Sequence, residues 1–106
     1  MQEQPNLSYV DQLSGDDIEF KNSFISIIKQ EFPKERDVYL DCVEKQLTKQ
    51  TADIVHKIKH KFSILSMQDS YKLAVTYEME LLEGKTTSQS AFKSVLDIME
   101  NYLKTI

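Results

Sequence analysis

Apolar positions along the chain recur at the spacing of helices. Ile18, Phe24, Ile25, Ile28 and Phe32 are separated by three, four or their multiples, which predicts an amphipathic helix. Ahead of it, "LSYVDQL" predicts a brief helix capped by Ser8. "SGDD" then offers Ser14 as an N-cap with Asp17 three residues on, a start that resembles a capping box. Pro33 interrupts the stripe, either as a kink or as the first residue of a new helix. Val38, Tyr39, Cys42, Val43 and Leu47 carry the stripe on to about Leu47. "TKQT" is a polar break with Thr48 or Thr51 as cap, and the helix after it ends near Leu65. Gln68 to Glu83 holds Tyr71, Ala74, Val75, Met79 and Leu82, with Gly84 as its stop. "KTTSQS" is a loop. The last helix runs from Gln89 to about Lys104 and spaces Phe92, Val95, Leu96, Met99, Tyr102, Leu103 and Ile106 at i, i+3, i+4. The expected fold class is all-α, an antiparallel four-helix bundle with a short N-terminal helix. Residues 1–7, polar with Pro5, are expected to form a flexible lead, and 8–106 a single domain.

Composition narrows this picture. A chain of 106 residues fits one domain, and 41% hydrophobic with 28% charged residues is ordinary for a globular one. Only two Gly and two Pro punctuate it, which favours a few long helices over many short strands. The formal net charge of -4, with no basic tail, argues against nucleic acid as a partner. Cys42 has no second cysteine to pair with and suits a reducing compartment. The opening "MQEQPNLSYV" lacks the basic and apolar regions of a secretory signal, and no apolar run reaches the roughly 18 residues of a membrane span. A cytoplasmic protein with no membrane partner is expected, and the leading Met with a full set of helices suggests a free-standing one.

Candidate chemistry concentrates in "ADIVHKIKHKFSILSM", which holds both histidines and three lysines. With Val55 at 0° and about 100° per residue, Ile54, Ile58, Phe62 and Leu65 fall between roughly 260° and 340°, the core-facing stripe. His56, Lys59, His60 and Ser63 fall between about 40° and 140°, on one polar face, while Lys57 and Lys61 lie near 200° and 240°. Residues 51–67 carry three lysines against one aspartate, a formal +2, whereas 68–83 carry Lys72 against Asp69, Glu78, Glu80 and Glu83, a formal -3. An exposed imidazole near neutral pH is a nucleophile or a metal ligand. A lysine at i+3 attracts phosphate oxygens and disfavours the imidazolium, which suits a histidine that accepts and returns a phosphoryl group.

"HKIKHKFSILSM" resembles the signature of histidine-containing phosphotransfer (HPt) domains, of the free-standing bacterial type. That signature sets an aliphatic residue at +2 from the acceptor His, Lys at +3, a small residue at +4, Leu near +9 and often Gly at +10. Ile58, Lys59 and Leu65 match around His56, while His60 stands at +4 and Ser66 at +10. Leu73, Ala74, Tyr77 and Glu78 occupy matching places in the next helix, and "LSYVDQLSGDDIEFKNSFISIIKQEFP" resembles the family's opening, so the likeness spans Leu7 to about Gly84.

The resemblance implies a phosphorelay carrier without kinase activity. His56 is the expected phosphoacceptor and Lys59 the phosphoryl stabiliser. Ala52, His60, Ser63 and Glu78 are expected to line the partner surface, with Ala52 as an apolar contact at its border. Response-regulator receiver domains and a hybrid sensor histidine kinase are the implied partners, to a monomeric carrier. No cofactor or metal of its own is implied, since Mg²⁺ belongs to the receiver. The chain has no glycine-rich nucleotide loop.

Two other readings stay open. His56 and His60, at i and i+4, have the spacing of helical zinc sites, although three lysines would repel a cation. The chain also fits a degenerate HPt-like bundle that docks receivers and transfers nothing, with His60 crowding the acceptor. His60 could instead add a second positive group when protonated, or be a tolerated variant. The aromatic stripes and Cys42 read as core.

Overall fold

The computed structural model describes residues 3–106. They form five helices and no strand: α1 (Ser8–Ser14), α2 (Ile18–Glu44), α3 (Thr48–Ile64), α4 (Gln68–Leu82) and α5 (Gln89–Leu103). Helix α3 packs on α2 and α4, α5 packs on α4 and α2, and α1 lies on α2. One core includes Phe32 and Tyr39 of α2, Val55, Ile58 and Phe62 of α3, Ala74 and Tyr77 of α4, and Phe92 and Leu96 of α5. The stripes read from the sequence meet there only in part: Ile18, Val38, Leu47, Met79 and Leu82 are exposed, and α4 turns Ala74, Tyr77 and Leu81 inward instead. Phe92 is its hub, with ring centroids 5.1 Å from Tyr39, 5.1 Å from Tyr77 and 5.8 Å from Phe62. The Tyr39 and Tyr77 hydroxyls lie 2.8 Å apart, each satisfying the other in the interior. Burial raises the pKa of both, so both stay protonated. Among the described residues, no helix is long and apolar enough to cross a membrane.

Pro33 neither ends a helix nor begins one, since it sits inside α2. A proline there removes one i→i−4 bond, yet Ile28, Phe32, Tyr39 and Cys42 keep one face toward the core on both sides of it. Lys61 of α3 spans the same point, with Nζ 3.1 Å from Glu31 and 2.9 Å from Glu35. Arg36 pairs with Glu100 of α5 just beyond it. Packing and these ion pairs hold the helix through a residue that would otherwise break it. Lys61 is therefore a buried link between helices, rather than a solvated flank of α3.

The helix ends differ from expectation in instructive ways. Asp17, not Ser14, caps α2 by accepting from the Phe20 N–H, while Ser14 closes α1 with its hydroxyl bonded back to the Val10 carbonyl. Asn6, not Ser8, supplies the side-chain oxygen at the start of α1, accepting from the Ser8 N–H. Neither Thr48 nor Thr51 caps α3, and the Thr51 hydroxyl donates to the Leu47 carbonyl instead. Three helices end alike. Beyond α2, α3 and α4, residues Gln46, Ser66 and Gly84 take positive φ of 57°, 63° and 77°. Each next residue donates back five places, Leu47 to Cys42, Met67 to Phe62 and Lys85 to Glu80. Gly84 adopts this conformation without a Cβ penalty, whereas Ser66 is strained there. Ser66→Gly is expected to raise stability by roughly 1 kcal/mol, read as an increased urea midpoint at unchanged slope.

The described part of the lead is tied down rather than loose. Glu3 accepts from the N–H groups of Asp69 and Ser70 at 2.8 and 2.9 Å, and so caps α4 from far away in sequence. Pro5 is buried, and the Asn6 N–H donates to the Leu65 carbonyl. Residues 1 and 2, also assigned to the lead, lie outside the described residues.

Candidate functional site

Burial of Val55, Ile58 and Phe62 turns the opposite face of α3 outward, with His56 and His60 on it. Burial of Ala74, Tyr77 and Leu81 fixes the roll of α4, and that roll aims Glu78 at α3. The Glu78 carboxylate takes both neighbours. Its Oε1 lies 2.9 Å from His56 Nδ1, and its Oε2 accepts from Lys59 Nζ at 2.9 Å. Lys59 Nζ also stands 5.9 Å from the Tyr71 ring centroid. The His56 and His60 rings meet nearly at right angles, 87°, with centroids 5.2 Å apart.

Partial burial works against the charged form of Glu78, but the hydrogen bonds from Lys59 and His56 outweigh it and leave its pKa below the ordinary carboxylate value. Glu78 is thus ionised at neutral pH and can only accept, so His56 Nδ1 must carry the proton. In neutral His56 the lone pair then sits on Nε2. With its side chain 54% exposed, His56 offers that nitrogen to a partner at the surface.

Glu3 is lowered in the same way: burial opposes its charge, and the backbone N–H groups of Asp69 and Ser70 prevail. Glu100 is lowered chiefly by its hydrogen bond from Arg36. A carboxylate with a depressed folded pKa adds stability that is fully present above the unfolded value, near 4.5, and is lost as pH falls through the folded value. Urea midpoints are therefore expected to hold steady just above pH 5 and to drop below about pH 4.5, with a shallower drop in Glu78→Gln.

The face read from the sequence holds for His56 and His60, both exposed, and for half-buried Ser63. Lys59 departs from expectation. Its side chain is only 12% exposed and is committed to Glu78 instead of standing free beside the imidazole. Ala52 is a correction: it shares the wheel sector of Lys59 and Ser63, near about 60°, yet it is 3% exposed and part of the core. This side of α3, where Lys59 bonds to Glu78, is closed by packing between helices and leaves no apolar surface for a partner. Tyr71 lies against Lys59, a contact that its place in an apolar stripe does not signal.

Among the described residues, no group of three or more His, Cys, Asp or Glu side chains is arranged to hold a metal ion. A cleft of about 430 Å³ opens between the α2–α3 and α4–α5 connections, lined by Cys42, Gln46, Tyr77 and Thr86 among others, and none of the histidine-face residues lines it. The imidazoles thus stand on open surface outside that cleft. No family model matches the chain, and no curated protein or solved structure matches it either.

Proposed function

We propose that this chain is a histidine phosphotransfer protein, an antiparallel four-helix bundle with a short N-terminal helix that carries a phosphoryl group on His56 Nε2. The observation that carries this reading is an exposed imidazole whose Nδ1 is held by an ionised carboxylate, Glu78, at 2.9 Å. The Nε2 lone pair attacks the phosphorus of an aspartyl phosphate in line. The phosphorus–oxygen bond breaks, and the aspartate leaves as carboxylate with the electron pair. The proton stays on Nδ1, so the ring becomes cationic as the phosphorus–nitrogen bond forms. Glu78 faces that developing charge, as the preorganised carboxylate of a His–Asp pair does in acyl transfer. Return to a second aspartate reverses each step.

Lys59 supports the reaction through Glu78, keeping the carboxylate ionised and aimed. The open site suits receiver domains of response regulators as donor and acceptor, and this reading also takes a hybrid sensor kinase upstream and a monomeric carrier in the cytoplasm. The carrier has no kinase activity and no cofactor. A receiver-docking bundle that transfers nothing is the second reading, favoured by one observation, the His60 ring against His56.

Incubation with a phosphorylated receiver domain, followed by intact-mass measurement, tests the proposal. Gain of one acid-labile, base-stable phosphoryl group is the expected result. Complex formation without mass gain would support the non-transferring reading, and neither outcome with any of several receivers would overturn both.

A further inference from the structure

The site raises the question of which side chain meets the phosphoryl oxygens. Lys59 is poorly placed to do so. Its ammonium is hydrogen-bonded to Glu78 and its side chain is largely sequestered against α4. Swinging it to the phosphoryl group would leave a half-buried carboxylate without its cation and loosen the group that holds His56 Nδ1.

His60 is in the opposite condition. It is exposed, and among the described residues it forms no hydrogen bond or ion pair, while its ring centroid lies 5.2 Å from that of His56. Helical side chains tilt toward the N-terminus, so a residue at i+4 leans back over the residue at i. With the ring centroids 5.2 Å apart, His60 is close enough to reach a group carried on His56. An imidazole donates a ring N–H whether neutral or protonated. Charge assistance from the phosphoryl oxygens strengthens such a bond.

Resting on the carrier reading above, we infer that His60, rather than Lys59, is the residue of this chain that contacts the phosphoryl group on His56. His60 forms no covalent bond and moves no proton. It donates one hydrogen bond to an equatorial phosphoryl oxygen while the phosphorus–nitrogen bond forms at His56. The bulky residue beside the acceptor is then a working part of the site and not an obstruction.

Phosphoramidate tests this without any partner protein. His56 Nε2 attacks its phosphorus, the phosphorus–nitrogen bond of the reagent breaks, and ammonia leaves. Intact mass against time, with fragmentation to locate the label, is followed for wild type, His60→Ala, His60→Gln and Lys59→Met, each checked for helical content. His60→Ala is expected to slow labelling of His56 by about tenfold or more, less than the loss at a fully buried oxyanion donor because this site is wet. His60→Gln, which keeps an N–H donor, is expected to recover most of the rate, and Lys59→Met to lose less than His60→Ala. Wild-type labelling with an unchanged or faster His60→Ala overturns the role of His60 alone, as does label placed on His60 in preference to His56. A folded wild type that takes no label at His56 overturns the carrier reading and this inference together.

Discussion

Replacing His56 with glutamine removes phosphoryl uptake to background while leaving the protein folded. Glutamine has no nucleophilic nitrogen, since its amide lone pair is delocalised, so the step that forms the phosphorus–nitrogen bond has no donor. Its amide N–H can still reach the Glu78 carboxylate that His56 Nδ1 engages at 2.9 Å, so the surrounding hydrogen bonds have a substitute partner. His56 is exposed, and the change in stability is expected to stay within about 0.5 kcal/mol. Intact mass after exposure to a phosphorylated receiver, with a urea titration of the same sample, checks both halves. Residual uptake near the wild-type level places the acceptor elsewhere. Loss of uptake together with several kcal/mol of stability makes His56 a structural residue.

The largest effect on stability is expected at Phe92. It is wholly buried and its ring touches Tyr39, Phe62 and Tyr77, which come from three other helices. Phe92→Ala removes the hub of that cluster, and the rigid helices around it cannot collapse to fill the space. A cost of roughly 3–5 kcal/mol is expected, a large part of the roughly 5–15 kcal/mol that holds a domain folded. The Tyr39–Tyr77 hydroxyl pair, packed beside the same ring, loses its support too. A urea midpoint lowered by that amount is the outcome to look for. A loss below about 1 kcal/mol would mean that the four rings do not share one rigid core.

Much of this structure is legible in the residues, for reasons that can be located. The apolar stripes from Phe24 to Phe32, from Ile54 to Leu65 and from Phe92 to Leu103 specify helices because period and burial agree there, whereas the α4 stripe through Met79 and Leu82 misses the face that burial selects. Gly84 marks its helix end because the left-handed conformation favours glycine, whereas Ser66 and Gln46 hide the same turn behind ordinary side chains. Pro33 misleads because local propensity argues for a break, while core packing on both sides and the Lys61 link to Glu31 and Glu35 override it. The lead misleads because Glu3 caps a helix more than sixty residues away, a contact invisible to any local pattern.

The same division runs through the site. A helical wheel is enough to place His56 and His60 on one outward face. It also puts Ala52 on that face, between Lys59 and Ser63, without revealing that the position is buried. That Glu78 joins His56 and Lys59 depends on the roll of α4 against α3, a tertiary quantity. The commitment of Lys59 to Glu78 follows from that roll, and it is the feature that moves attention to His60.

The most direct measurement is the nitrogen–phosphorus connectivity of the loaded protein, read by NMR on a ¹⁵N-histidine sample phosphorylated by a receiver. A single phosphohistidine at residue 56, with phosphorus coupled to Nε2 and the proton retained on Nδ1, is the predicted result. Phosphorus on Nδ1, on His60, or on no histidine at all would contradict it.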